Sequence, residues 1–156
     1  MRKNIKIWEP CNVYDSAIIG DNVSIGMFSE VGDNVCIGNN TRIGAQCFIP
    51  DGVIIGDNCF IGPKVCFTND KYPPSGRECW GYTVIKDNVS IGAGSIILTG
   101  VCIASNSMVG AGSVVTKSIP PDEVWVGNPA SKLKNKSEID SIRIEQFKSR
   151  NIFNKD

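Results

Sequence analysis

The sequence predicts an all-β solenoid, a parallel β-helix of hexapeptide repeats, and three observations predict it. Aliphatic residues recur every six positions at Ile7, Val13, Ile19, Ile25, Val31, Ile37, Ile43, Ile49, Ile55 and Ile61, and the register resumes at Ile85, Ile91, Ile97, Ile103, Val109 and Val115. Glycine usually follows at once, as at Gly20, Gly26, Gly32, Gly38, Gly44, Gly56, Gly62, Gly92 and Gly110. Four residues after the aliphatic comes a small or β-branched residue, such as Val23, Ser29, Val35, Thr41, Cys47, Val53, Cys59, Val65, Ser95, Ser107 and Ser113. A helix needs apolar residues three and four apart, and a hairpin strand needs continuous alternation. A period of six fits a short strand and a sharp corner. Each strand turns one large aliphatic inward, and each corner takes glycine, asparagine or aspartate for backbone freedom. Three hexads close a triangular coil, and stacked coils bury a continuous aliphatic column.

The repeats assign residues 1–130 to one β-helical domain. Between Phe67 and Val84 they lapse into a stretch with prolines, glycines, charges, Tyr72 and Trp80, which predicts a loop excursion over 68–83. The step from Phe67 to Ile85 is a whole number of hexads, so the coil should resume in phase. A loop this long in a compact repeat domain is usually functional or disordered, and its aromatics and fixed register favour function. After Pro120-Pro121 the hexads fade, and residues 131–156 read as a tail with a short helix. Ser137 is the predicted N-cap, Glu138 and Asp140 suit the helix start, and Ile139, Ile142 and Phe147 share an apolar face. Such a helix would cap the open end of the stack or contact another subunit.

Composition narrows the chemistry. Lys+Arg and Asp+Glu both number 16, so no basic field is present to hold nucleic acid or an anionic membrane. No apolar run is long enough to span a bilayer, and the N-terminus lacks the apolar segment of a secretory signal. The expected location is the cytoplasm. The seven cysteines (11, 36, 47, 59, 66, 79 and 102) make no zinc spacing and read as reduced thiols, with Cys11, Cys47 and Cys59 on small inward positions. Histidine is absent. That removes the usual ligands of a β-helical metalloenzyme of the γ-carbonic anhydrase kind, so no metal is expected.

The repeat pattern over residues 7–130 resembles the hexapeptide-repeat acyltransferases, and this resemblance implies a left-handed coil. Lys6-Ile7-Trp8-Glu9-Pro10 and Phe67-Thr68-Asn69-Asp70-Lys71-Tyr72-Pro73 resemble, more narrowly, the N-acetyltransferases of nucleotide-linked 3-amino sugars in bacterial surface-glycan synthesis. Val109–Lys117 and Gly127-Asn128-Pro129-Ala130 are similar to the same group, though many acetyltransferases share them. The resemblance implies acetyl-CoA as co-substrate, a dTDP- or UDP-linked amino sugar as acceptor, and a homotrimer. Alternatives within the fold are an O-acetyltransferase, a longer-chain acyltransferase and a non-catalytic assembly module.

The missing histidine fits an amine acceptor. A sugar hydroxyl is a poor nucleophile until a general base, worth about 10²–10⁴-fold, removes its proton. An amine carries its own lone pair, and with a pKa of roughly 8 about a tenth of it is neutral at pH 7. By resemblance Asn69 lies beside the reacting amine, and Asp70 is the nearest carboxylate able to accept a proton; the two residues also read as a turn pair opening the loop. Glu30 and Gln46 are candidates for sugar contacts across a subunit boundary, or surface residues without a role. Lys71 and Arg77 are candidates for a diphosphate, and Tyr72 or Trp80 for stacking on a base. Relatives commonly carry arginine after Tyr-Pro, where this chain has Pro74. For coenzyme A, the resemblance points to a groove along the later coils. There Ala93, Gly94, Ala111 and Gly112 would allow close backbone approach, and Lys117 and Lys132 would meet phosphates.

Overall fold

Seventeen two-residue strands, from Lys6–Ile7 to Val114–Val115, wind into a parallel solenoid in a computed structural model that describes residues 4–153, with side chains through residue 146. Every third strand stacks in register on the one below. In one sheet Lys6 pairs with Ser24, Ser24 with Arg42, Arg42 with Phe60, Phe60 with Ser90 and Ser90 with Met108. Two further parallel sheets form the other sides of the prism, one carrying Asn12, Glu30, Phe48, Cys66, Ile96 and Val114 outward, the other Ile18, Cys36, Ile54, Val84 and Cys102.

The interior is the column that the six-residue period predicts. Ile25, Val31, Ile49, Ile61, Ile91, Ile97, Ile103, Val109 and Val115 are fully buried, and Phe67 joins them as the aromatic member of the register. The small positions are inward too, and polarity there has a specific purpose. Ser29, Thr41, Cys47 and Ser95 each donate to the carbonyl of a residue one coil on: Gly44, Gly56, Gly62 and Gly110, at 2.8 to 3.2 Å. Buried carbonyls are thereby satisfied without water. Burial pushes the thiols of Cys47 and Cys59 up in pKa, as structural cysteines require.

The glycines serve a different end from the one the sequence alone predicts. Backbone freedom is used three positions after the aliphatic, where Asn22, Asn34, Asn40, Asn58, Asn88 and Asn106 sit at φ between 55° and 63°. Asparagine tolerates this region best after glycine. The glycine directly after the aliphatic has an ordinary φ and is there for closeness: a Cβ on Gly26 would lie 2.5 Å from the Ala45 nitrogen of the next coil.

The prism has three corner columns. The first is an asparagine ladder, in which Asn4 donates to Asn22, Asn22 to Asn40, Asn40 to Asn58 and Asn106 to Asp122 through side-chain amides at 3.0 to 3.3 Å. The second runs Phe28, Gln46, Lys64, Gly94 and Gly112, all at positive φ. The third runs Asp15, Asp33, Asp51, Asn69, Thr99 and Lys117, and the loop leaves the solenoid there between Phe67 and Val84. The coil then resumes in phase, with Ile85 between Ile55 and Ile103.

The C-terminal end is closed by a hairpin rather than by the helix. Glu123–Gly127 continues the first sheet in parallel, and Ala130–Asn135 returns antiparallel along it. Trp125 pairs with Val109 and, 7% exposed, covers the last coil. Helix α1 (Lys136–Phe153) follows directly. Its cap is Asn135, not the predicted Ser137: the Glu138 carboxylate accepts from the Asn135 N–H at 2.9 Å, the reciprocal half of a capping box. Ile142 is exposed, and the side chain of Phe147 lies outside the described residues. No described helix is long and apolar enough to cross a membrane.

Candidate active site

The loop builds itself around Asp70. Its carboxylate accepts from the Ser75 hydroxyl and N–H, both at 2.7 Å, and from the Tyr72 N–H at 3.0 Å. These bonds hold its pKa below the usual carboxylate value, the Ser75 hydroxyl most strongly. Asp70 is therefore an organiser of the loop, and the base assigned to it from the sequence has its oxygens already engaged. Arg77 opens a single 3₁₀ turn, Arg77–Cys79, and folds back onto earlier coils. It meets Asp51 at 2.5 Å and Asp33 at 3.6 Å, with its guanidinium 5.8 Å from the Trp80 ring. Arg77 thus ties the loop to the earlier coils. The Tyr82 ring lies directly over Gly52, where any Cβ would collide with it.

Asn69 and Glu30 line one open cavity beside the folded loop. It has a volume of about 260 Å³, and its other walls include Tyr14, Phe48, Asp51 and Trp80. Asn69 is anchored through its carbonyl, which accepts from the Gly81 N–H at 3.0 Å. The cavity offers an amide, a carboxylate and aromatic walls, a set suited to an amine-bearing ring. Asp33, Asp51 and Asn69 stand one above another in the third corner, so the acidic lining was legible as an eighteen-residue spacing; Tyr14 and Phe48 carried no signal of their own.

Gln46 stands elsewhere, exposed in the second corner column below Lys64, Gly94 and Gly112. The four small residues expected to approach coenzyme A do come together. Ala93-Gly94 and Ala111-Gly112 occupy successive turns, joined by the Gly112 N–H to the Ala93 carbonyl at 2.8 Å. Gly94 and Gly112 adopt φ of 70° and 67°, and nothing lies within 4 Å of where a Cβ would be. They leave a bare strip of backbone on the solenoid edge. Lys117 lies in the third corner instead, its ammonium 5.3 Å from the Trp125 ring. Lys132 is tied to Glu123 at 2.9 Å and does not join either group. Tyr72 is exposed, with the Lys71 ammonium 5.4 Å from its ring. No described cluster of three His, Cys, Asp or Glu side chains has metal-holding geometry.

Comparison with known proteins agrees with this architecture. The family profile "Bacterial transferase hexapeptide (six repeats)" matches residues 16–51, 37–69 and 82–117, together more than half of the chain. A dTDP-3-amino-3,6-dideoxy-alpha-D-galactopyranose 3-N-acetyltransferase from Aneurinibacillus thermoaerophilus is 51% identical over 53 residues, 34% of this chain and 28% of that protein. A 2,3,4,5-tetrahydropyridine-2,6-dicarboxylate N-acetyltransferase from Staphylococcus aureus is 37% identical over 73 residues, 47% of this chain and 29% of that one. The matched segments thus span less than a third of these curated relatives. Among solved structures, a variant of AntD, an N-acyltransferase from Bacillus cereus in complex with dTDP-4-amino-4,6-dideoxyglucose and coenzyme A, superimposes with a TM-score of 0.75 at 28% identity, covering 94% of this chain and 89% of that one. On its repeats, its coil and the matched profile, the chain belongs to the bacterial hexapeptide-repeat transferase family.

Proposed function

We propose that this protein is an N-acetyltransferase that moves acetyl from acetyl-CoA to the amine, at the 3-amino position, of a dTDP- or UDP-linked amino sugar in bacterial surface-glycan synthesis. The observation that carries this reading is a cavity lined by both Asn69 and Glu30 in a chain without histidine. The Aneurinibacillus relative supports the 3-amino position and the AntD complex supports a nucleotide-linked amine. In this reading the chain works in the cytoplasm as a homotrimer, and coenzyme A runs along the bare backbone of Ala93-Gly94 and Ala111-Gly112.

The chemistry is direct. The amine nitrogen attacks the thioester carbonyl, a tetrahedral intermediate forms, the C–S bond breaks, and the proton lost by nitrogen ends on the departing thiolate. Asn69 holds the amine by its side-chain amide, which orients but does not deprotonate. Glu30 is the carboxylate within the same cavity and receives the proton in passage. Free thiol followed in the presence of acetyl-CoA and a panel of dTDP- and UDP-linked 3-amino, 4-amino and hydroxyl sugars tests this. Turnover is expected with 3-amino sugars; turnover confined to hydroxyl acceptors would refute N-acylation.

A further inference from the structure

The third corner column reads Asp15, Asp33, Asp51 and Asn69 along the solenoid, so the amide of Asn69 stands on a stack of carboxylates. Asp33 and Asp51 each have a structural use for one oxygen. Asp33 Oδ1 accepts from the Ser16 hydroxyl at 2.9 Å, and Asp51 Oδ1 accepts from the Asp33 N–H at 3.0 Å. Their other oxygens face the Arg77 guanidinium. The charged or titratable walls of the Asn69 cavity are Tyr14 and Glu30 from the early coils, Asp33 and Asp51 from the corner, and Arg77 from the loop. The loop residues Asp70, Lys71 and Glu78 are not among its walls. Three carboxylates therefore meet one cation, and the loop brings that cation. Glu30 makes no ion pair among the described residues. An acceptor amine reacts only through its neutral form, and every unpaired carboxylate beside it favours the ammonium. One carboxylate is enough to receive the proton; more would hold the nitrogen unreactive.

We propose that Arg77 is a positioning residue for the acceptor amine: by pairing with Asp51 and Asp33 it leaves Glu30 as the one free carboxylate of the cavity, so that the nitrogen meets Asn69 as a neutral amine instead of being held as ammonium against the corner. The inference rests on the reading of the acceptor as an amine and deepens it. The same side chain keeps the Trp80 ring, 5.8 Å from its guanidinium, as a wall of the site. Charge and geometry thus come from one residue, and they are separable. Removing one unit charge several ångströms away in a partly exposed site moves a neighbour's protonation by roughly half to one pH unit, a threefold to tenfold change in the neutral fraction.

The test is the pH profile of acetyl transfer from acetyl-CoA to a dTDP-linked 3-amino sugar in single turnover, which reports the bound amine. Arg77→Met makes the cavity one charge more negative and should move the rising limb to higher pH by roughly half to one unit. Asp51→Asn makes it one charge less negative, keeps the oxygen that the Asp33 N–H needs, and should move the limb by a similar amount to lower pH. The double variant Arg77→Met/Asp51→Asn should return near the wild-type position, and Arg77→Lys should stay there. Asp51→Asn carries the test even where Arg77→Met loses its loop. A merely structural latch would lower the rate at every pH without displacing the limb. That result, or displacement of both single variants in the same direction, overturns the role of Arg77 and leaves N-acylation standing. Absence of transfer to any amino sugar across the whole range overturns the amine reading itself, and this inference with it.

Discussion

Thr83 provides a test of the core in which the sign of the effect is set by one hydroxyl. It is fully buried on the inward column that otherwise reads Ala17, Val35, Val53 and Val101, and its Oγ has no hydrogen-bond partner among the described residues. Leaving a buried hydroxyl unpaired costs about 1–3 kcal/mol. Thr83→Val keeps the β-branch and removes the penalty, so it should stabilise the fold by about 1–2 kcal/mol. For a domain of this size that raises Tm by roughly 2–8 °C. Thr41 is the matched opposite. Its hydroxyl donates to the Gly56 carbonyl at 2.8 Å and accepts from the Cys59 N–H at 3.0 Å. Thr41→Val strands both groups and should cost about 1–3 kcal/mol. Thermal melts by far-UV circular dichroism, at one protein concentration and in reducing buffer, compare the three proteins. If Thr83→Val melts below wild type, or if the two variants shift alike, the assignment of polar inward residues to specific carbonyls is wrong.

Asn69→Ala removes the amide that orients the amine and should lower kcat/KM for the amino sugar about 10–100-fold, with the thermal midpoint nearly unchanged, by thiol release and melting on the same preparation. An unaltered kcat/KM removes Asn69 from the mechanism. Asp70 has a folded pKa below its unfolded value, so its contribution is complete above about pH 4 and fades as pH falls through the lowered pKa. Asp70→Asn should therefore make loop cleavage by pepsin less dependent on pH in that acid window; an identical pH profile in both proteins would contradict the loop-organising role. Among the thiols, Cys79 is exposed while Cys47 and Cys59 are buried with raised pKa values. A thiol reagent at neutral pH should label Cys79 first and the other two only on unfolding, as peptide mapping would show.

Much of the solenoid was legible because its period belongs to backbone geometry: a two-residue strand and a four-residue corner must repeat wherever the coil continues. Ile25, Ile61 and Ile97 needed no knowledge of their neighbours to be placed inside. The closing hairpin was not legible, because Trp125 breaks the six-residue step after Val115 and pairs instead with Val109. The site divides in the same way. Asn69 and Glu30 were named from the chain, but Arg77 finds Asp51 across 26 residues, a choice made by the fold of the loop. Asp70 and Ser75 fall within one loop, yet only the turn between them brings the hydroxyl to the carboxylate. Gln46 is on another corner of the triangle.

The asparagine ladder has a directional consequence. In each of its four side-chain bonds the amide N–H points to the next coil toward the C-terminus, and the last acceptor is the carboxylate of Asp122. Aligned amides reinforce one another much as peptide units do along a helix, so this edge carries an electric polarity along the long axis of the prism. At its C-terminal end the Asn106 amide points to a formal negative charge, an arrangement that favours this orientation of that amide. Removing Asp122 would free the Asn106 amide to turn over, while the run from Asn4 to Asn58, which ends on the Asn58 carbonyl oxygen, would keep its sense.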